Sequence, residues 1–111
     1  MSRQFSLSRR AAGLLAGTAV LAMPAVTSSQ AADAANGEQL AKRWCAACHI
    51  VASGQTQGNA QVPTFAAIAK KPNFDAQTVA FFLLAPHPQM PSMSLSRAEA
   101  ADLAAFIATQ K

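Results

Sequence analysis

The spacing of apolar residues after position 33 predicts a first amphipathic helix. Asn36 is a suitable N-cap, and Gln39 lies three residues further on, where its side chain can reach back to the cap. Apolar or small residues then follow at helical spacing, which places them on one face that we expect to be buried. This stripe consists of Gly37, Leu40, Ala41 and Trp44.

A short second helix and a longer third helix are predicted further along the chain. Thr64 can cap the second helix, which should end before Pro72 because a proline disfavours helical geometry in the residue before it. Asp75 can cap the third helix, and Phe74 and Val79 have the positions of a hydrophobic staple around that cap. The predicted inner face of the third helix consists of Val79, Phe82 and Leu83.

A fourth helix is predicted at the end of the chain. Ser96 and Glu99 have the spacing of a capping box. The apolar face that follows is formed by Ala100, Leu103, Ala104, Phe106 and Ile107. No convincing strand pattern interrupts these segments, so the predicted fold class is all-α with about four short helices.

The N-terminus has the features of an export signal. Three arginines in the first ten residues precede a run of apolar residues that Pro24 interrupts. This run is too short for a membrane-spanning helix and is typical of a cleavable signal peptide over residues 1–31. Small residues predict cleavage after Ala31 or after Ala34, which leaves one domain over about 32–111. An uncleaved membrane anchor is the alternative.

Removal of this leader changes the charge balance. The 111-residue chain has a formal net charge of +4, but beyond residue 31 it has six basic and five acidic side chains, a net charge of +1. The basic character of the full chain therefore lies in the leader and does not indicate nucleic-acid binding. We expect a monomeric protein of the bacterial periplasm that does not insert stably into the membrane.

The segment Cys45–His49 has the C-x-x-C-H pattern of covalent c-type haem attachment. Two cysteines three residues apart on a helical turn share a face, so both Cys45 and Cys48 can reach the vinyl groups of one haem. His49 follows directly, where an imidazole nitrogen can bind the iron as its proximal ligand. We therefore expect one covalently attached haem c.

Other uses of these cysteines fit the sequence less well. A structural zinc site needs four ligands, and the chain beyond the leader offers only four candidates, two of which are adjacent. Those candidates are Cys45, Cys48, His49 and His87. A redox-active dithiol of the thioredoxin type needs a βαβ context, and a disulfide across two intervening residues closes too small a loop to stabilise much.

A proline-rich loop between the third and fourth helices contains the candidates for a second axial ligand, namely Met90, Met93 and His87. Three prolines within six residues make this loop stiff and extended. Met90 is favoured because Pro88 and Pro91 hold its backbone on both sides. Met93 as core filler, His87 as a solvent-facing residue, and an open sixth position remain alternatives.

A polar surface loop over 50–62 ends at Pro63. A carbonyl near Pro63 is a candidate acceptor for the second ring N–H of His49, which would fix the orientation of the ring. A simple turn proline is the alternative. A domain of about 80 residues forms only a marginal core of its own, so we expect a haem-free chain to be largely disordered.

With these features the chain resembles the class I c-type cytochromes, and specifically the small monohaem proteins of bacterial periplasms. The resemblance rests on Gly37 in the first helix, the Cys45–His49 motif, the Met90-Pro91 loop, and Leu103 and Phe106 in the last helix. It implies four short helices wrapped around one haem with an exposed edge. It also implies that Gly37 and Phe106 mark the crossing of the first and last helices, and that Met90 is the axial methionine.

The function that we expect from these features is single-electron transfer by a His/Met-ligated haem, without enzymatic activity. Donor and acceptor would be redox proteins, such as a dehydrogenase, an oxidase or another cytochrome, that form brief complexes with the carrier. The pair Lys70-Lys71 is either a solvated surface or a docking patch for an acidic partner. The alternatives are an open-site haem protein that binds a small gas, and a haem subunit of a larger dehydrogenase or oxidase complex.

Overall fold

The computed structural model describes residues 23, 25, 29–85 and 89–111. These residues form four helices and no strand. The helices are α1 (Ala34–Trp44), α2 (Phe65–Ala69), α3 (Ala76–Leu84) and α4 (Arg97–Ala108). The prediction of an all-α fold with four short helices is confirmed. Most of the predicted leader lies outside the described residues, and so do Pro86, His87 and Pro88.

Helix α1 begins three residues earlier than the predicted N-cap implies. Its N-cap is Asp33, whose side chain accepts hydrogen bonds from the backbone N–H groups of Ala35 (2.9 Å) and Asn36 (3.2 Å). The predicted cap at Asn36 is therefore wrong. An aspartate at the cap satisfies the free amides of the first turn, and this leaves the Asn36 side chain for a contact with α4.

That contact ties the start of α1 to α4 through one carboxylate. Asp102 accepts a hydrogen bond from the backbone N–H of Asp33 (2.6 Å) at Oδ1 and from the Asn36 Nδ2 (2.8 Å) at Oδ2. Hydrogen bonds to an ionised acceptor are stronger than neutral ones. Because the partners are more than 60 residues apart, these bonds fix the register of α1 against α4.

Helices α1 and α4 cross at Gly37. A Cβ atom at this position would overlap the backbone carbonyl of Asp102 and would lie 2.9 Å from the Cβ of Phe106. Only glycine allows the two backbones to approach this closely. The crossing of Gly37 with Phe106, which the resemblance implied, is confirmed.

The core lies between these crossed helices and the segments that follow α1. Gly37, Leu40 and Ala41 are buried as predicted, but Trp44 is 47% exposed and Cys45 (7% exposed) is buried instead. Cys45 lies four residues after the buried Ala41 and bonds its carbonyl as in a helix, so Cys45 rather than Trp44 continues the buried face. The core cluster consists of Leu40, Ala41, Cys45, Val51, Phe65, Ala69, Leu103, Phe106 and Ile107.

The predicted caps of α2 and α3 are confirmed. Thr64 Oγ1 accepts from the Ala67 N–H (3.0 Å), and the Asp75 carboxylate accepts from both the backbone N–H and the hydroxyl of Thr78, each at 2.7 Å. These bonds, led by the one from the hydroxyl, hold the pKa of Asp75 below its usual value.

The inner face of α3 is narrower than predicted. Val79 and Leu83 pack against the core cluster, and so does Phe74 before the cap. Phe82 is 57% exposed, so its assignment to the inner face is wrong. Successive residues of a helix lie about 100° apart, and this rotates Phe82 away from the line through Val79 and Leu83.

Helix α4 has the predicted capping box and the predicted buried face. Ser96 Oγ accepts from the Glu99 N–H (3.2 Å), and Glu99 accepts from the Ser96 N–H (2.8 Å), which lowers the pKa of Glu99. All five residues of the predicted apolar face are buried: Ala100, Leu103, Ala104, Phe106 and Ile107. Within the described part of the chain, no helix is long and apolar enough to cross a membrane.

Replacement of Gly37 by alanine tests the helix crossing. Alanine favours an isolated helix over glycine by about 1 kcal/mol, whereas overpacking a tight contact costs about 1–3 kcal/mol. Because the obstructing atoms belong to the backbone of α4, we expect Gly37→Ala to lower the free energy of unfolding of the haem-loaded protein by about 2 kcal/mol. Denaturant unfolding measures this, with the exposed Gln39→Ala as the control on the same helix. A Gly37→Ala protein as stable as the control would contradict the crossing.

Candidate haem site

The end of α1 positions the two cysteines on one helical turn. The Cys45 N–H donates to the Ala41 carbonyl (2.9 Å), which continues the helical hydrogen bonding past Trp44. The N–H groups of Cys48 (3.1 Å) and His49 (2.8 Å) then both donate to the Cys45 carbonyl. This single turn has the geometry that places residues three apart on the same side.

The two thiols differ in their surroundings. Cys45 belongs to the core cluster, Cys48 is exposed, and no disulfide joins them. Burial raises the pKa of the Cys45 thiol to about 11, so at neutral pH it is a neutral thiol. Zinc binding and dithiol redox chemistry both use the thiolate. The described residues also contain no cluster of three or more His, Cys, Asp or Glu side chains placed to hold a metal ion.

The ring of His49 is fixed by a hydrogen bond to the loop that follows it. Its Nδ1 lies 2.6 Å from the backbone carbonyl oxygen of Pro63. A carbonyl can only accept, so Nδ1 is the donor in this bond, and in the neutral ring Nε2 then has a free lone pair. The hypothesis that a carbonyl near Pro63 orients His49 is confirmed. A neutral imidazole with one nitrogen hydrogen-bonded and the other free is the usual state of a metal-ligating histidine.

Two aromatic contacts connect this ring to the helix crossing. The ring centroids of His49 and Phe65 lie 5.7 Å apart, and those of Phe65 and Phe106 lie 6.2 Å apart in an edge-to-face arrangement. Phe65 begins α2 and is only 3% exposed. The orientation of His49 is thereby linked through packed rings to the point where α1 and α4 cross.

The loop over 50–63 lies against the Cys45–His49 turn and bonds its backbone. The Asn59 N–H donates to the Cys48 carbonyl (2.7 Å), and the Phe65 N–H donates to the Ile50 carbonyl (2.9 Å). Gly58 sits close to this turn, because a Cβ there would lie 2.9 Å from the Ile50 side chain. The loop is thus a compact structure closed on the motif.

One residue of this loop was missed by the sequence analysis. The side chain of Gln55 forms hydrogen bonds with the backbone of residues 46, 49, 51 and 57. Two further glutamines, Gln57 and Gln61, lie in the same polar stretch and are exposed. Composition and spacing contain no signal that separates Gln55 from these neighbours.

The two methionines of the proline-rich loop have different roles in packing. Met93 is half-buried and packs against the core cluster together with Leu95. Met90 is also half-buried but is not among the apolar side chains that pack on that cluster. His87 lies outside the described residues. The structure therefore gives Met93 the contacts of core filler.

Large apolar side chains are exposed at the end of α1 and along α3. They are Trp44, Phe81, Phe82 and Leu84. Three of them, Phe81, Phe82 and Leu84, lie within four residues of α3, and apolar exposure concentrated in this way marks a binding surface more often than a solvated one. Two thiols on one turn and an imidazole that directly follows them fit a large macrocycle with a metal at its centre.

Comparisons with known proteins agree with this chemistry. The family model described as cytochrome c oxidase, cbb3-type, subunit III, matches residues 32–107. The chain is 57% identical over 89 residues to cytochrome c-552 of Bradyrhizobium diazoefficiens, a match that covers 79% of this chain and 86% of that protein. No solved structure matches.

The family match spans the four helices almost completely, the cysteine pair and the loop that closes on it. It begins at residue 32, directly after the predicted leader over 1–31. Membership of this family implies a covalently bound haem c, and Cys45 and Cys48 have the spacing of its attachment motif. The chain belongs to the class I c-type cytochromes, and it is a small haem protein of electron transport.

Proposed function

We propose that this protein is a periplasmic electron carrier, attached to its haem at Cys45 and Cys48 and ligated to iron by His49 and Met90. The observation that carries the proposal is the hydrogen bond from His49 Nδ1 to the Pro63 carbonyl (2.6 Å), which leaves Nε2 free to bind a metal. Haem c supplies the one-electron ferric/ferrous couple when it is bound. The protein supplies attachment, axial ligands and a partly apolar enclosure.

Each proposed ligand has a chemical reason. The imidazole of His49 binds both oxidation states, and its hydrogen bond to Pro63 makes it a better electron donor. The thioether of Met90 is a soft ligand that favours ferrous iron, so His/Met ligation gives a higher reduction potential than two histidines. The packing of Met93 in the core supports Met90 as the sixth ligand. If His49 and Met90 both bind the iron, no position would remain for a substrate, which supports a carrier rather than an enzyme.

The position of the N-cap supports one of the two proposed cleavage sites. Cleavage after Ala31 retains Asp33, which caps α1 and donates its backbone N–H to Asp102. Cleavage after Ala34 removes both interactions. We therefore propose a mature protein over 32–111, exported by the signal over 1–31.

The proposed partners are redox proteins that dock without strong electrostatic attraction. The stretch over 44–69 contains Cys45, Cys48 and His49, and the stretch over 76–96 contains Met90. Neither stretch has a single Asp, Glu, Lys or Arg. A carrier whose docking surface surrounds its ligands therefore presents mainly uncharged groups there, and association is not steered by charge.

A second candidate function follows from the description of the matching family as an oxidase subunit. On this alternative the chain is the haem subunit of a larger complex rather than a free monomeric carrier. The match with cytochrome c-552 over 86% of that protein favours a small independent protein. Elution with an oxidase as a stoichiometric complex in gel filtration of a periplasmic or membrane extract would support the subunit instead.

The ligand assignment predicts the optical spectra of two matched variants. In the ferric wild-type protein we expect the weak near-infrared charge-transfer band of Met–Fe(III) ligation, by resemblance to the family. Met90→Ala should abolish this band, because it removes the thioether from the iron. Met93→Ala should keep the band and mainly lower the free energy of unfolding, by about 2–3 kcal/mol, because Met93 packs on the core.

The reverse pattern, with loss of the band in Met93→Ala only, would assign the sixth ligand to Met93. A high-spin ferric wild-type protein that binds carbon monoxide readily when reduced would favour the open-site alternative.

The cleavage proposal predicts the mass of the mature protein. The holoprotein purified from the periplasm should have the mass of residues 32–111 plus one haem, measured by intact-protein mass spectrometry. Asp33→Ala, which removes the cap, should lower the free energy of unfolding by about 1 kcal/mol. A mature chain that begins at Ala35, or one that retains residues 1–31, would contradict the proposal.

The uncharged docking surface predicts a weak dependence of electron transfer on salt. We expect the second-order rate constant for oxidation of the ferrous protein by membranes of its source bacterium to change by less than about twofold between low and high ionic strength. A charge-steered pair would lose about tenfold or more. The double variant Lys70→Glu, Lys71→Glu should react like wild type. A large drop for this variant would instead make Lys70-Lys71 a docking patch.

A further inference from the structure

We propose that Gln55 is the positioning residue for the haem-attachment turn, and that its side-chain amide fixes the backbone from which His49 presents its ring. This inference rests on the proposed roles of Cys45, Cys48 and His49. Gln55 itself lies in the loop between the motif and Pro63 and does not supply a ligand. Its role is to hold the ligand's backbone in place.

The side chain of Gln55 bonds the backbone on both sides of His49. Its Nε2 donates to the carbonyl oxygens of His49 (2.8 Å) and Ala46 (3.1 Å), and its Oε1 accepts from the Val51 N–H (3.0 Å). The same Nε2 also lies 2.7 Å from the Gln57 carbonyl oxygen, so its two N–H groups are shared among three acceptors. The amide therefore connects the middle of the C-x-x-C-H motif, its histidine and the residue two places after it.

The Gln55 side chain supplies hydrogen-bond donors that backbone N–H groups would supply if the helix continued. The chain leaves helical geometry after one turn at Cys45–Cys48, so the following carbonyls have no continuing helix to supply donors. Backbone amides of the loop bond the carbonyls of Cys48 and Ile50. The carbonyls of Ala46 and His49 receive their donor from Gln55.

The consequence is that His49 is held at two separate points. The Pro63 carbonyl fixes the ring through Nδ1, and Gln55 fixes the backbone carbonyl of the same residue. A ring bonded only at Nδ1 can still pivot if its backbone shifts, whereas two anchors define both its position and its plane. Loss of Gln55 should therefore change the orientation of the ring even though the bond to Pro63 can persist.

The arrangement requires a primary amide of this length. Glutamine provides both donors and an acceptor on one group. A glutamate at position 55 has the same length and can still accept from Val51, but its carboxylate has no N–H and would face the carbonyl oxygens of Ala46 and His49. Gln55→Glu thus removes the donors with almost no change of volume.

A measurement on the wild-type ferrous holoprotein tests the contacts directly. The side-chain amide protons of Gln55 should exchange with solvent about tenfold more slowly, or slower still, than those of Gln57 and Gln61. Both comparison residues are exposed and lie in the same loop. Equal exchange rates for all three side chains would overturn the proposal.

The variant Gln55→Glu tests the effect on the ligand, with Gln61→Glu as the control that adds the same charge to the same loop. The haem-methyl NMR shifts of a ferric cytochrome follow the plane of the axial imidazole. We expect these shifts, and the reduction potential, to change in Gln55→Glu relative to Gln61→Glu, while the methionine charge-transfer band persists in both. Coinciding shifts in the two variants would overturn the proposal.

If Gln55→Glu does not accumulate with haem attached, the side-chain amide exchange of the wild-type protein tests the positioning role of Gln55 on its own. Absence of the methionine band in the wild-type protein would count against the proposed His/Met ligation and leave the Gln55 result to be judged by exchange alone.

Discussion

The hydrogen bond between His49 Nδ1 and the Pro63 carbonyl is the contact on which the proposed site depends. It fixes the protonation of Nδ1, and with it the availability of Nε2 for iron. It also explains why the chain returns to the motif after 14 residues, because the loop over 50–63 must bring that carbonyl back to the ring. The bonds from Asn59 and Phe65 to the backbone of the same region close the loop in the required place.

This bond orients the ring of His49 only if the backbone of the Cys45–His49 motif is itself fixed. The crossing of α1 and α4 fixes the helix that leads into the motif. Gly37 lets α1 approach the backbone of α4, and Asp102 ties the start of α1 to the same helix. The ring contacts from Phe106 through Phe65 to His49 extend the packing to the ligand. A small domain that forms a marginal core can thus hold a ligand in a defined orientation.

Features with a local chemical signature could be predicted from the sequence. The C-x-x-C-H motif, the caps at Thr64 and Asp75 and the capping box of α4 depend on residues a few positions apart. The errors arose where tertiary contacts decide. Asp33 rather than Asn36 caps α1, because the Asn36 side chain bonds Asp102 of α4. Cys45 rather than Trp44 is buried at the end of that helix, and Phe82 is exposed beside the packed face of α3. The role of Gln55 is set by a loop fold that composition does not encode.

The most direct test of the account is NMR of the ferrous holoprotein labelled with ¹⁵N in its histidine rings. We expect Nδ1 of His49 to carry a slowly exchanging proton, because it donates to the Pro63 carbonyl, and Nε2 to carry no proton, because it would bind the iron. His87 provides the second histidine signal for comparison. A proton on Nε2 would contradict the proposed ligation, and an Nδ1 without a protected proton would contradict the orientation of the ring by Pro63.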